Sequence, residues 1–204
     1  MDTIYLYEKK GDNTMAKDNH HDDYDEFESP GIQLLFGEIT TEIAAQTIAW
    51  ILTESINPNP PAFLTMLINS VGGDIAAAFA IIEVMQGSRI PIHTVGLGEI
   101  SSAGLIIFMS GTPGHRVITP TCSVLSHTFS TGMMGNFHEL VNVQKEFSFV
   151  NQRIVNQYVR CTGLDEQTVK DKLIPARDVF LSPTEAVELG LADEIRGLGS
   201  DLVM

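Results

Sequence analysis

The chain has 204 residues, 44% of them hydrophobic, which is one domain's length with enough apolar residues to build a core. Its formal net charge of −14 argues against nucleic acid, whose binding relies on Lys and Arg displacing counterions from phosphates. No apolar run approaches the roughly 18 residues that span a bilayer, no signal-like apolar core opens the chain, and Cys122 and Cys161 are too few for a disulfide framework, so no membrane association and a cytoplasmic, host-cytoplasmic or organelle-stroma setting are expected.

Residues 1–31 carry nine Asp or Glu against three Lys with few aliphatic residues, and are expected to form a flexible acidic segment. Within it His20-His-Asp-Asp23 is a consecutive run with no second ligand group, so neither a metal nor another cofactor is expected. Ile32 to Phe36 then reads as a strand and Thr40 to Ser55 as an amphipathic helix, ended by the turn Asn57-Pro-Asn-Pro-Pro61. Leu64 to Ile68 is a second strand, and Asp74 caps a helix from Ile75 to Met85. Arg89 to Val95 and a turn at Gly96-Leu-Gly98 lead to a helix over Ala103 to Ser110 that is apolar all round and therefore buried. Val124 to Leu125 is a short β-prone run. A long helical stretch follows from Asn136 to Cys161, closed by Gly163 as C-cap and spanning roughly 35–40 Å at the usual helical rise. It is apolar on more than one side, which calls for a second partner and points to an oligomer interface. Alternation of strands and helices predicts a mostly parallel α/β sheet.

The chemistry gathers where strand-like runs stop. Ser102 lies in Gly98-Glu-Ile-Ser-Ser-Ala-Gly104 and His127 in Val124-Leu-Ser-His127. A serine hydroxyl is a weak nucleophile until a base takes its proton, and histidine does so near neutral pH. The Gly72-Gly73 turn before the Asp74-capped helix offers the Gly73 amide to a developing oxyanion, and the amide of Ala103 is the second candidate donor. An α/β-hydrolase elbow needs glycine two residues before its serine, where Ile100 stands, so that fold is disfavoured.

Four ordered motifs resemble the Clp protease proteolytic subunit (ClpP) family. Asn69-Ser-Val-Gly-Gly73 is similar to the family's Asn-Ser-Pro-Gly-Gly, Gly98 to Gly104 to its Gly-Gln-Ala-Ala-Ser-Met-Gly, and Ser-His127-Thr to its Ile-His-Gln. Arg177-Asp-Val-Phe-Leu-Ser, with Glu185-Ala and Gly190-Leu-Ala-Asp193, is similar to its C-terminal signature. The resemblance runs from Ile32 to Ile195. It makes Ser102 rather than Ser101 the nucleophile, because only Ser102 is followed by the x-Gly of the motif, and makes Asp178 the acid of a Ser102, His127, Asp178 triad, with Arg177 bonding across a ring-ring contact.

The resemblance further implies a ClpP/crotonase-like spiral of ββα units over residues 32–195, a projecting handle helix over about 136–161, and a C-terminal tail over 196–204. The implied activity is that of a self-compartmentalised serine endopeptidase, a homo-oligomer of two stacked heptameric rings, fed with peptides or unfolded protein by an AAA+ unfoldase. The family's axial-loop segment has no counterpart in the acidic segment, and such divergence suits a specialised or phage-encoded copy. Val71 replaces the family's proline, Glu99-Ile100 its Gln-Ala, and Thr128-Phe129 its Gln-Pro. Loss of the proline is expected to loosen the segment carrying the Gly73 amide. Two alternatives remain: a catalytically weak or inactive ring subunit used for assembly or regulation, and a crotonase-type acyl-CoA enzyme that uses oxyanion amides without a nucleophilic serine.

Overall fold

The computed structural model describes residues 31–128 and 137–199, except for the side chains of 137–142. The expectations for the acidic segment up to residue 30, including His20 to Asp23, for Ser130 to Gly135 and for residues 200–204 lie outside the described residues.

Strand β1 (Ile32–Ile39) hands directly to helix α1 (Thr41–Ile56), because the Thr40 side chain accepts from the Ile43 amide and so meets one of the donors a helix start leaves open. Asn57 and Pro58 end that helix as expected. Strand β2 (Leu64–Gly73) runs on through the whole Asn69 to Gly73 motif, where the sequence pattern shows only a turn. Asp74 then caps α2 (Ile75–Gly87) by accepting from the amides of Ala76 at 2.7 Å and Ala77 at 3.2 Å. Strand β3 (Ile92–Ser101) likewise passes straight through the expected Gly96-Leu-Gly98 turn and delivers the chain to α3 (Ala103–Met109), whose seven residues are all buried, as an all-apolar helix requires.

Next come β4 (Arg116–Ile118), β5 (Ser123–Ser126), α4 (Phe137–Thr162), α5 (Glu166–Lys172), β6 (Val179–Leu181), α6 (Pro183–Glu188) and β7 (Glu194–Ile195). The described strands form one sheet in the order β1-β2-β3-β4-β7, with β5 beside β3 and β6 beside β5; every pairing is parallel except β5 with β6. The two ends of β3 have different neighbours. Thr94 to Gly96 pair with β4, whereas Glu99 to Ser101 pair with β5, so the sheet turns as it passes the end of β3.

Side-chain alternation sorts the sheet into two faces. Leu35, Leu64, Met66, Ile68 and Ile92 point into the main core, against α1, α2, α3 and the second half of α4. Ile32, Leu67, Val95 and Val117 form a thinner cluster on the other face, where Leu34 and Phe36 remain 37% and 45% exposed. Behind the core, Arg116 is nearly buried and forks onto Asp193, while its Nη1 donates to the carbonyls of Cys161 and Gly190 at 2.9 Å each. One guanidinium thus ties β4 to the ends of α4 and α6.

Candidate active site

The site is assembled where β2, β3 and β5 end side by side. Between Ile68 and Ser70 the pairing of β2 with β3 slips, and the side chain of Asn69 fills the gap by accepting from the Glu99 amide at 3.2 Å. Gly98, at φ +58, gives the bulged strand its left-handed residue and leaves space for the Asn69 amide, which lies 3.1 Å from where a Cβ would stand. Bulges re-aim a strand end, and here the re-aimed end carries Ser101 and Ser102.

Ser102 has φ 53 and ψ −123, the one positive φ at a non-glycine among the described residues. Such backbone costs on the order of 1–3 kcal/mol and persists only where its surroundings enforce it. They do so here through the Ser102 amide, which donates to the Leu125 carbonyl at 2.9 Å, and the Ser102 carbonyl, which accepts from Ile106 at 3.1 Å. A serine on a strained strand-to-helix corner projects its hydroxyl away from both elements, a geometry shared with nucleophile elbows even though Ile100 stands where those place glycine. Its neighbour Ser101 is buried and donates to Glu99 Oε1 at 2.6 Å, so the two adjacent serines have separate surroundings.

Glycine is needed opposite Ser102 for steric reasons. A Cβ on Gly72 would stand 2.7 Å from the Ser102 Cβ, and one on Gly73 would stand 2.4 Å from the Ile39 carbonyl oxygen. A Cβ on Gly104 would meet the Ser70 side chain at 2.9 Å, which is why α3 can lie directly on β2. The expected loosening without proline is countered by pairing: Glu38 and Ile39 of β1 hold Gly72 and Gly73 in register, and the Gly72 amide donates to Ser70 Oγ at 3.1 Å.

Ser102 and His127 line one cavity of about 80 Å³ together with Gly73, Ala103, Ile75, Ile106, Ile154 and Tyr158. The four residues whose hydroxyl, imidazole or amides the sequence singles out are therefore brought together, and the remaining wall is mainly apolar. Asp178 is not part of that wall. It is exposed, just ahead of β6, whose antiparallel ladder with β5 ends at the pair Ser126 and Val179, one residue before His127 on one strand and one residue after Asp178 on the other. Arg177 is exposed next to it. Among the described residues no hydrogen bond joins Ser102, His127 and Asp178, and no group of three or more metal-ligating side chains occurs.

Sequence reasoning missed Asn69 as the bridge across the bulge and Tyr158 as part of the cavity. Asn69 had a usable signal in Gly98, since a glycine inside a strand pattern often marks a bulge. Tyr158 had none, because a tyrosine within a helix's apolar stripe looks like any core residue.

A mostly parallel sheet with helices packed on one face, and polar and glycine residues clustered at the ends of three strands, defines a mixed α/β protein with a strand-end site. The sequence matches the Clp protease family model over residues 15–197, and the chain belongs to that family. The match begins inside the acidic segment and ends past β7. It makes the protein a ClpP-like protease. Among the described residues no helix is long and apolar enough to cross a membrane.

Proposed function

We propose that this family member is a serine endopeptidase in which Ser102 is the nucleophile, His127 the general base and Asp178 the orienting acid. The observation that carries the proposal is the cavity shared by a strained Ser102 and His127. In the reaction Ser102 Oγ attacks the scissile carbonyl carbon while His127 takes its proton, and the carbonyl oxygen, now negative, receives the amides of Gly73 and Ala103. Collapse of this intermediate breaks the C–N bond, with the His127 proton going to the leaving amine. Water, deprotonated by the same imidazole, then releases the acyl group. Asp178 accepts from the other ring nitrogen and holds the tautomer that lets His127 face Ser102.

Ile75, Ile106 and Ile154 give the cavity an apolar lining suited to one aliphatic side chain next to the scissile bond. At about 80 Å³ it is smaller than cavities of roughly 150 Å³ that accept benzene, which favours aliphatic over aromatic residues there.

Assembly into two stacked heptameric rings, with an AAA+ unfoldase as a partner in the cytoplasm, belongs to the same proposal. Its support is the length of α4, about 39 Å for 26 residues, in which the buried residues among those whose side chains are described, Ile154, Val155, Gln157 and Tyr158, lie in the second half. Arg153 lies 4.0 Å over the Phe79 ring of α2 and 5.6 Å from the Phe149 ring, and beyond this anchor the helix carries exposed residues, Phe149 among them. The second reading, a catalytically weak ring subunit, is favoured by the lack of hydrogen bonds among the three proposed triad side chains. The test is cleavage of short fluorogenic peptides by the full chain, with its mass measured in parallel by native mass spectrometry. Turnover by a species of about fourteen chains is the expected result; a large oligomer without turnover supports the ring-subunit reading.

A further inference from the structure

His127 is the first residue beyond β5, and the last side chain before it is that of Ser126, which is fully buried. The Ser126 hydroxyl and the Tyr158 hydroxyl share a 2.7 Å hydrogen bond. Tyr158 is itself 1% exposed, and it forms part of the cavity wall shared by Ser102 and His127. Burial pushes its hydroxyl up to about 12, so it keeps its proton across the working range. The turn below is fixed as well: Thr162 Oγ1 donates to the Tyr158 carbonyl at 2.7 Å, and the Leu164 amide donates to Thr162 Oγ1 at 3.2 Å.

A buried hydroxyl without a partner is costly, so this pair fixes the distance between the end of β5 and the α4 face that carries Tyr158. Elsewhere β5 is held by backbone pairing to β3 and β6, by the Ser102 amide on the Leu125 carbonyl, and by Val124 in the core, so the Ser126 to Tyr158 bond is the side-chain hydrogen bond that holds its last residue, next to His127. Ladder bonds set the register of a strand, whereas a side-chain contact from a second layer sets its height above the sheet, and height decides how far an imidazole one residue later stands from Ser102. The arrangement differs from a general core contact because the bonded strand residue directly precedes the proposed base.

We propose that Tyr158, acting through Ser126, is a positioning residue for His127. This rests on the peptidase reading for its consequence in rate, though not for its consequence in geometry. The hydroxyl of Tyr158 is engaged by Ser126, so its part in the reaction is to hold the base in place, while the residue also lines the cavity of Ser102 and His127. Tyr158→Phe keeps the ring and removes the bond, and Ser126→Ala removes the same bond from the other side.

The experiment compares wild-type protein, Tyr158→Phe, Ser126→Ala and the double variant as full chains. The expected result is a fall in kcat of about three- to tenfold in each single variant with KM unchanged, as for loss of one hydrogen bond acting in the transition state, and no further fall in the double variant. The His127 ring resonances in NMR spectra, assigned by their loss in His127→Gln, are expected to move in both single variants and by no more in the double. Unmoved His127 resonances in both single variants overturn the proposal, whatever happens to thermal stability, as do unchanged kcat values in an active enzyme. If Tyr158→Phe fails to fold, Ser126→Ala decides by the same two measurements. Absence of peptidase activity in the wild-type protein refutes the peptidase reading, and the NMR comparison still decides whether Tyr158 positions His127.

Discussion

At the scale of residues, the site depends on atoms that are missing as much as on those present. The β2 segment lies against Ser102 only because Gly72 has no side chain, just as Gly73 lies against Ile39 of β1, and Gly72 has φ +96, where a side chain is strained even in open space. Gly72→Ala is therefore expected to cost about 1–3 kcal/mol of stability and to slow acylation at Ser102 by tenfold or more, read by thermal unfolding and by the rate of fluorophosphonate labelling. A labelling rate equal to wild type would mean that the close approach of β2 is irrelevant to the nucleophile. The pairing of Gly72 with Gly73, the Ser102 motif and His127 were legible in the sequence as residue types. The left-handed conformation of Ser102 was not, since it is imposed by the Leu125 carbonyl, a partner 23 residues away that is visible only after folding.

At the scale of elements, short strands are held by side chains that reach across several elements. Arg116 is the strongest case, with Asp193 and three backbone carbonyls around one guanidinium. Burial acts to raise the Asp193 carboxyl, but the Arg116 hydrogen bonds and charge outweigh it and hold the carboxyl below its ordinary value. Arg116→Ala leaves that partly buried carboxylate with backbone amides but no counter-charge, and is expected to cost about 3 kcal/mol, measured by denaturant unfolding.

A second device sits at the opposite end of the strands from the site. The rings of Phe63, His93 and His115 stack at 4.3 and 4.0 Å between centroids, just before or at the starts of β2, β3 and β4. Burial, with the neighbouring His115 adding to it, pushes His93 down to about 4. The unfolded chain then binds more protons than the folded one between about 6.5 and 4, so stability should fall as pH drops through that window and His93→Phe should flatten the fall. Thermal unfolding across pH 4–7 checks this, and an unaltered slope in the variant would count against it. Neither device could be read from the sequence, because Arg116 and His115 lie in a turn-rich stretch with no periodicity. The helices α1 to α4 were legible from their caps and apolar patterns, whereas the short α5 and α6 were not expected. Strand lengths were underestimated at Gly72-Gly73 and at Gly96-Leu-Gly98, because glycines that signal a turn in isolation also serve bulges and close approaches within a strand.

At the scale of the whole molecule, a domain with helices on one sheet face keeps apolar surface elsewhere: Leu34 and Phe36 on the far face, Phe149 on the outer half of α4, and Phe180 on β6, 69% exposed. The length of α4 was legible as a count of residues, and the expectation that it meets a partner rests on its apolar residues in the sequence. In the proposed assembly Arg177 and Asp178 are adjacent residues with different duties, one at the ring-ring contact and one beside the base. Arg177→Ala is expected to shift double rings toward single rings and lower activity secondarily, while Asp178→Asn should leave the oligomer assembled and cost several powers of ten in rate. Native mass spectrometry with parallel peptide assays checks both, and fully active single rings from Arg177→Ala would break the proposed link. The central claim is that Ser102 is the nucleophile, and the most direct measurement is the site of fluorophosphonate attachment, mapped by mass spectrometry on the wild-type, Ser102→Ala and Ser101→Ala proteins. One adduct is expected on Ser102, lost in Ser102→Ala and retained in Ser101→Ala, because the Ser101 hydroxyl of the wild-type protein is already engaged by Glu99. An adduct that survives Ser102→Ala, or none on an assembled wild-type protein, would contradict it.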